Sequence, residues 1–255
     1  MTILDRLSFQ LYSARNFPPL DDQLATLAGL GYRLVEPYGG LLDRAEEMAA
    51  ALRDHRLAAP SSHVALPALK TDFGGTVAAA KQLGTTLLIV PAIPPGERDK
   101  DAEGWRGFGR ELADLQAALA AEGIRLAWHN HDFEFRRTAA GLCPLDLIFE
   151  GAPALLWAAD IGWIERAGED SADWIGRHRD RIVAFHIKDL APAGENLDED
   201  GWADIGRGTI DWPRLLPAIQ SAKAELFVLE HDNPNDFERF ATRSRDAVAA
   251  WAVSA

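Results

Sequence analysis

Short apolar runs alternate with longer stretches of helical periodicity along the whole chain. Runs of alternating or continuous apolar residues predict β-strands at 6–11, 32–36, 57–63, 86–90, 124–129, 154–160, 182–187 and 225–230. The helical patterns between them cover 20–30, 41–55, 73–83, 103–122, 144–150, 171–178, 212–221 and 236–252. Asp21 and Asp22 mark the first helix start, and Asp211 precedes Trp212-Pro213, which places proline in a favoured first turn. The chain therefore reads as eight strand–helix units.

Strands that alternate with helices predict a parallel sheet with right-handed crossovers. Eight units of about 30 residues fit a closed (β/α)8 TIM barrel, with residues 1–255 forming one domain. An open, doubly wound sheet is the alternative, but no glycine-rich dinucleotide fingerprint follows the first strand. The third strand is the weakest of the eight because Pro60 interrupts it.

Four late strands run directly into ionisable side chains. The fragments are LAWHNHDFEF (126–135), LLWAAD (155–160), IVAFHIKD (182–189) and LFVLEHD (226–232). A buried, unpaired charge is costly, so four such strand ends in succession indicate that these groups converge on a common partner. A divalent metal ion is the simplest one. Glu36 and His63 end the second and third strands in the same way.

Charge and cysteine content narrow the function classes. The chain has 26 basic and 39 acidic residues, a formal net charge of −13. This balance disfavours proteins that bind nucleic acid or an anionic membrane surface. The single cysteine, Cys143, excludes an intrachain disulfide and a zinc–thiolate cluster. Without a signal peptide or an apolar run long enough to cross a bilayer, we expect a soluble, cytoplasmic protein.

The strand-end residues occur within longer motifs that point to a family. These are SFQLYSAR (8–15), GYRLVEPYGG (31–40), SSHVAL (61–66), LAWHNHDFEF (126–135), AADIGWIERAG (158–168), FHIKDL (185–190), GRGTIDWPRLL (206–216) and LEHDNP (229–234). Together they resemble the sugar isomerase/epimerase superfamily of xylose isomerase-like barrels over essentially the entire chain. The resemblance implies a TIM barrel that acts on a small sugar or keto-sugar, and such barrels often pair as homodimers.

The resemblance also implies one divalent ion held by Glu, Asp, His and Glu. Carried over, the ligands are Glu134, Asp160, His186 and Glu230. His129 is the rival to Glu134, because the fifth strand reads His129-Asn130-His131 where many relatives have glutamate. Carboxylate and imidazole ligands suit Mn²⁺ first, with Mg²⁺, Co²⁺ and Zn²⁺ as alternatives.

Proton transfer beside a carbonyl is the chemistry that such a site performs. The resemblance implies Glu134 and Glu230 as the acid–base pair, with His129 as a relay. Lys188 follows His186 by two residues and would point the same way on an ideal strand, so it is a candidate to stabilise an oxyanion. The candidate substrate contacts are Glu36, His63, His131, Trp163 and Arg207. For Arg207, a plain turn before the Asp211 helix is an equal explanation.

These residues support a leading function and three alternatives. The leading one is a divalent-metal-dependent isomerase or epimerase that works through an enediolate. The second is a metal-dependent lyase, either an inosose-type dehydratase or a 3-keto-glycoside eliminase. A non-catalytic sugar-binding barrel is the third. The fourth, a nuclease resembling endonuclease IV, is disfavoured because its substrate needs a basic groove.

Overall fold

Eight parallel strands follow one another around a nearly closed barrel. The computed structural model describes residues 3–253. The barrel strands are β1 (Leu7–Gln10), β2 (Leu34–Glu36), β3 (Ser61–His63), β4 (Leu87–Val90), β5 (Arg125–His129), β6 (Leu156–Asp160), β7 (Ile182–Ile187) and β10 (Leu226–Leu229). A short antiparallel pair, β8 (Asp189–Leu190) and β9 (Trp202–Ala203), follows β7. The predicted (β/α)8 barrel is confirmed.

β2 and β3, the strands at the two ends of the hydrogen-bonded order, are not paired directly with each other. The hydrogen-bonded order is β2-β1-β10-β7-β6-β5-β4-β3, and β2 meets the segment before β3 through a bridge between Leu34 and Ala58. The strand predicted over 57–63 was too long, since β3 covers only Ser61–His63. Proline lacks a backbone N–H to donate, which explains why the strand begins after Pro60.

The helices cover the outside of the barrel. Their bounds are α1 (Leu20–Gly29), α2 (Gly39–Leu42), α3 (Ala45–Asp54), α4 (Leu66–Thr71), α5 (Phe73–Leu83), α6 (Ala102–Ala121), α7 (Pro144–Gly151), α8 (Ile161–Arg166), α9 (Ser171–His178), α10 (Trp212–Ser221) and α11 (Phe237–Val253). The helix predicted over 41–55 is divided into α2 and α3, and the short helices α4 and α8 were not predicted. Asp211 caps α10 by accepting a hydrogen bond from the backbone N–H of Arg214 at 3.2 Å.

Within residues 3–253, the regular structure also includes five single turns of 3₁₀-helix, at Leu4–Arg6, Leu11–Ala14, Pro95–Glu97, Phe133–Phe135 and Leu197–Glu199. None of the helices in the described residues is long and apolar enough to cross a membrane.

Successive side chains along each barrel strand point alternately to the surrounding helices and to the barrel interior. Residues such as Trp128, Trp157 and Phe185 face the helices and belong to the main core. The residues between them face the barrel interior, where small and aliphatic side chains form a separate buried cluster: Leu87, Ile89, Ala127, Ala158, Val183, Ala184, Leu226 and Val228. Because side chains alternate, the next interior position on each late strand lies at its carboxyl end. The polar strand ends therefore rest on an apolar floor.

Candidate metal centre and substrate cavity

Four buried side chains meet at the carboxyl ends of the late strands. His129, Asp160, His186 and Glu230 each offer one potential ligand atom, and all four atoms lie within 4.8 Å of one another. His129 Nε2 is 3.7 Å from Asp160 Oδ2, and His186 Nδ1 is 2.6 Å from Glu230 Oε2. Each follows an alanine or valine by two residues on its strand, at Ala127, Ala158, Ala184 and Val228. We call these four residues the quartet.

One carboxylate oxygen of Asp160 accepts a hydrogen bond, and the other accepts none. Oδ1 accepts a hydrogen bond from the backbone N–H of Trp163 at 2.8 Å and so caps α8. Oδ2 is buried and has no hydrogen-bond partner. Burial raises the pKa of Asp160 to about 6, although Lys188 acts in the opposite direction. Oδ2 lies 3.3 Å from Lys188 Nζ, faces the other members of the quartet and is suited to a metal ion.

The HNH motif fixes the position of Asp160 through its middle residue. Asn130 Oδ1 accepts hydrogen bonds from the backbone N–H of Asp160 and from Trp157 Nε1, both at 2.9 Å, and Asn130 Nδ2 donates to the Asp160 carbonyl. The flanking His129 and His131 rings lie 5.0 Å apart. Asn130 is thus a positioning residue that the sequence reasoning missed, although its place between two candidate histidines was a signal.

His186 lies between two carboxylates. Glu230 contacts Nδ1, and Glu36 Oε1 lies 3.1 Å from Nε2 at ion-pair distance, without the geometry of a hydrogen bond. Burial acts to lower the pKa of His186, but Glu36 and Glu230 outweigh it and raise that pKa to about 10. In the metal-free protein His186 is therefore an imidazolium. Burial opposes ionisation of Glu36 too, yet His186 and His63 hold its pKa below the usual value.

Lys188 is the buried cation of the centre. Its Nζ lies 2.8 Å from Asp232 Oδ1, 3.3 Å from Asp160 Oδ2 and 3.5 Å from Glu230 Oε2. The faces of Trp163 and Trp202 enclose it at 5.3 and 5.0 Å. Burial acts to lower the pKa of Lys188, but the three carboxylates outweigh burial and raise it, so the ammonium stays charged.

A cavity of about 410 Å³ opens above the quartet. Its lining includes His63, His129, His131, Glu230 and Asp232. Burial lowers the pKa of His63 to about 4 and that of His131 to about 3, so both rings are neutral at pH 7. A neutral imidazole can accept a hydrogen bond from a hydroxyl or bind a metal ion. The volume is within the range of small-molecule sites.

The structure does not bring two of the predicted site residues, Glu134 and Arg207, to the quartet or its cavity. Glu134 is fully buried away from the quartet, where its oxygens accept hydrogen bonds from Trp128 Nε1 at 2.9 Å and from the backbone N–H of His131 at 2.8 Å. Both contacts arise because residues 133–135 form a 3₁₀ turn that folds the side chain back under the loop. His129, the alternative to Glu134 as the fourth ligand, lies within the quartet, and Glu134 supports the loop that carries His131.

Arg207 is exposed and does not line the cavity. The turn that carries Arg207 surrounds the buried carboxylate of Asp189. This carboxylate accepts hydrogen bonds from Trp212 Nε1 and from four backbone N–H groups, those of Leu190, Gly206, Gly208 and Ile210. The side chain of Arg207 is left outside this arrangement. The turn is therefore held from within, and the geometry does not support a substrate contact.

Two other candidates lie beside the cavity rather than in its lining. Glu36 is fully buried, accepts hydrogen bonds from Gln10 Nε2 at 2.8 Å and from Ser61 Oγ, and contacts His186 and His63. Trp163 is half-buried and packs 5.0 Å from the His131 ring. Each of them contacts a histidine that lines the cavity: Glu36 contacts His63, and Trp163 contacts His131.

The structure adds residues that were not singled out in the sequence. Asp232 binds Lys188 and lines the cavity, two positions after Glu230. That spacing was a usable signal, because the two side chains lie on one side of an extended chain. Tyr12, Arg15 and Tyr38 form the rim. They lie in loops after β1 and β2, where no pattern distinguishes them from other surface residues.

The profile of the xylose isomerase-like TIM barrel family matches residues 24–252. The chain belongs to this family. Among curated proteins, it is 28% identical over 149 residues to the rhizopine catabolism protein MocC of Rhizobium meliloti. That match covers 52% of this chain and 45% of MocC, so the chain spans about half the length of the curated relative.

Solved structures with the same barrel fold superpose over nearly the whole chain. A sugar phosphate isomerase/epimerase from Parabacteroides distasonis matches with a TM-score of 0.78 and 17% identity, covering 97% of this chain and 93% of that one. The IolI protein, solved with a bound zinc atom, matches with a TM-score of 0.75 and 17% identity, covering 98% and 97%. At these identities the likeness shows the shared barrel.

Proposed function

We propose that this protein is a divalent-metal-dependent isomerase or epimerase of a small sugar or keto-sugar. The observation that carries the proposal is the buried quartet of two imidazoles and two carboxylates, of which His129 and Glu230 line a 410 Å³ cavity. Family membership supports a sugar-acting enzyme, and the names of the isomerase/epimerase and zinc-bound relatives are consistent with this chemistry.

The residues present fit a metal ion. Asp160 Oδ2 is buried without a hydrogen-bond partner, and its charged neighbour is Lys188 at 3.3 Å. His129 is held neutral because burial and the neighbouring histidines lower its pKa well below the usual value. Two nitrogen and two oxygen ligands suit Mn²⁺, Co²⁺ or Zn²⁺. A divalent ion held by His129, Asp160, His186 and Glu230 would polarise a substrate carbonyl and stabilise negative charge on its oxygen.

The chain's own groups account for the proton transfer. Glu230 borders the cavity and uses Oε2 for its contacts with His186 and Lys188. In the proposed mechanism it takes the proton from the carbon beside the carbonyl, and the electron pair moves to the carbonyl oxygen. Lys188 stays charged in the buried site and stabilises the enediolate that results.

The neutral rings of His63 and His131 orient the hydroxyls of the sugar. A proton delivered from solvent to the opposite face of the same carbon gives an epimer, and the proton on Glu230 is then released to solvent. Return of the Glu230 proton to the neighbouring carbon gives an isomer. Loss of a hydroxyl or glycosyl group from the next carbon is the lyase alternative, which begins with the same proton removal.

Deuterium exchange tests the proposal. Chelated protein is reloaded with Mn²⁺ and incubated in D₂O with ketoses, inososes and 3-keto-glycosides, and the products are followed by NMR. We expect deuterium beside the carbonyl with at least one substrate. The exchange should be lost in Glu230→Gln and retained in Glu238→Gln, a change at an exposed position on α11. An alkene product would identify the lyase, and absence of exchange throughout the panel would contradict the enzymatic proposal.

Metal content supplies a second, independent measurement. Asp160→Asn should remove bound metal while the circular dichroism of the barrel is unchanged, because the substitution takes one charged ligand and leaves the α8 cap. Retained stoichiometric metal in this variant would contradict the assigned centre.

A further inference from the structure

The lining of the cavity is of two chemical kinds. The ionisable part near the quartet includes His63, His129, His131, Glu230 and Asp232, and Arg15 and Asp200 are the other charged residues of the lining. The remainder is largely apolar and includes Tyr12, Tyr38, Val64, Ala65, Pro91 and Ala92. The C–H face of a sugar ring can cover part of this lining, and two tyrosines with four further apolar residues leave room for an additional apolar part of the ligand. The apolar lining therefore indicates a further part of the ligand.

Two tyrosines at the rim are arranged as a contact surface. The rings of Tyr12 and Tyr38 meet edge to face, with their centroids 5.4 Å apart. Tyr12 is 37% exposed and is the only aromatic residue among the large exposed hydrophobic side chains of the described part of the chain. Its other neighbour is the Arg15 guanidinium, 3.8 Å from the ring centroid. Exposed aromatic rings at a cavity mouth commonly pack against flat, apolar ligand groups.

The charge around the cavity does not suit a phosphate. Among the described residues of the lining, Arg15 is the only cation, and three carboxylates accompany it: Asp200, Glu230 and Asp232. Arg15 Nη1 is bonded to the backbone carbonyls of Tyr12 and Asp232. Phosphate dianions are usually held by several cationic or backbone N–H donors, and an acidic lining repels them.

We infer that the ligand is an uncharged sugar that carries an apolar, flat substituent, such as an aromatic glycoside, and that the substituent packs on Tyr12 and Tyr38. This inference rests on the proposed function in taking a sugar as the substrate, and it adds the substituent and the absence of phosphate. The sugar lies toward the quartet, and its substituent lies toward the rim.

Equilibrium binding tests the inference without requiring turnover. Calorimetry on the Mn²⁺-loaded full chain compares methyl and phenyl glycosides of several common hexoses and pentoses with the matching sugar phosphates. For at least one sugar, we expect the phenyl glycoside to bind about three- to tenfold more tightly than the methyl glycoside. The sugar phosphate should bind more weakly than its parent sugar.

Two substitutions at one position isolate the contribution of the ring. Tyr38→Leu should bring the phenyl-to-methyl affinity ratio close to one by weakening phenyl glycoside binding more than methyl glycoside binding. Tyr38→Phe, which keeps the ring, should preserve the ratio, and thermal melting shows whether both variants remain folded. Tyr12→Leu gives an independent measurement if Tyr38→Leu does not fold.

The outcomes separate this inference from the proposed reaction. Equal binding of phenyl and methyl glycosides, tighter binding of the phosphates, or no binding of any glycoside overturns the inference, even if the D₂O experiment detects exchange on a small ketose. Ring-dependent binding without exchange on any substrate supports the ligand class and contradicts catalysis.

Discussion

Glu36 Oε1 lies 3.1 Å from His186 Nε2, on the opposite edge of the imidazole from Glu230. Gln10 Nε2 and Ser61 Oγ hold the Glu36 carboxylate in place, and all three residues are buried at the ends of neighbouring strands. Glu36 does not line the cavity, so it acts through His186. A carboxylate behind a ligating histidine sets the ring's orientation and its protonation.

Removing the charge of Glu36 should make His186 titrate at a lower pH. In the metal-free protein, the pKa of His186 is raised to about 10 because two carboxylates outweigh burial. Glu36→Gln leaves only Glu230 beside the ring. Histidine-selective ¹⁵N NMR should show an imidazolium that persists to about pH 10 in the unmodified protein and deprotonates earlier in the variant.

Glu238→Gln, at an exposed position on α11, is the matched control and should leave the titration unchanged. The same titration curve for His186 in Glu36→Gln and in the unmodified chain would contradict the assigned interaction.

Metal binding should become tighter as the pH rises. A ligating nitrogen must be free of its proton, and His186 is protonated below about pH 10 in the metal-free protein. Each bound ion therefore displaces one proton, and the dissociation constant for Mn²⁺ should fall by roughly tenfold per pH unit between pH 6.5 and 8. His129 adds no proton to this count because it is already neutral.

Calorimetry in two buffers of different ionisation enthalpy measures the displaced proton directly. One proton per ion at pH 7 is expected. An affinity that is independent of pH across this range would mean that His186 is not a ligand.

The barrel was predictable because its strands and helices carry different periodicities. Most predicted segments agree with the observed elements, and the interior positions of the late strands follow from simple alternation. Position at a strand end is also what brings Asp160, His186, Glu230 and His129 together. Local turns were the main source of error. The 3₁₀ turn at 133–135 redirects Glu134, and the short pair β8–β9 places Trp202 against Lys188.

Pairings between distant segments could not be predicted from spacing alone. The partner of Lys188 is Asp232 on the loop after β10, whereas the adjacent Asp189 turns to the backbone of its own loop. Asp189 is the nearer aspartate along the chain, and only the closure of the barrel brings Asp232 to Lys188.

The identity of the fourth ligand can be tested with two substitutions. His129→Ala removes a nitrogen that lies within the quartet, so we expect the affinity for Mn²⁺ to fall by at least about tenfold. Glu134→Gln changes a side chain whose oxygens are occupied by Trp128 and His131, so the affinity should change by less than about twofold. Metal titration of both variants, with chemical denaturation to verify folding, makes the comparison. The reverse order of affinities would restore Glu134 as the ligand.

Lys188→Met should destabilise the metal-free protein and strengthen metal binding. The buried ammonium compensates Asp160, Glu230 and Asp232, and removing one partner of a buried ion pair costs about 3–5 kcal/mol. A divalent ion can supply the missing charge. The increase in melting temperature on adding Mn²⁺ should therefore be larger in Lys188→Met than in the unmodified protein.

Lys223→Met, at an exposed position, should behave like the unmodified chain. A smaller response to Mn²⁺ in Lys188→Met would show that Lys188 does not share the carboxylates with the metal. Activity provides a separate readout, since the loss of an oxyanion-stabilising group should lower turnover by about 10²–10³ even with the metal bound.

The turn after β9 should tolerate no side chain at Gly208. A Cβ there would overlap the Asp189 carboxylate and the Leu190 carbonyl oxygen, which are the acceptors that hold the turn together. Gly208→Ala must either shift the turn or break these hydrogen bonds, and we expect a loss of about 2–3 kcal/mol in the free energy of unfolding. Gly176, in α9, has no atom within 4 Å of the position of an added Cβ. Gly176→Ala should therefore stabilise the protein by about 0.5–1 kcal/mol through helix propensity. Urea denaturation measures both, and a Gly208→Ala variant as stable as Gly176→Ala would show that the Asp189 contacts contribute little to the fold.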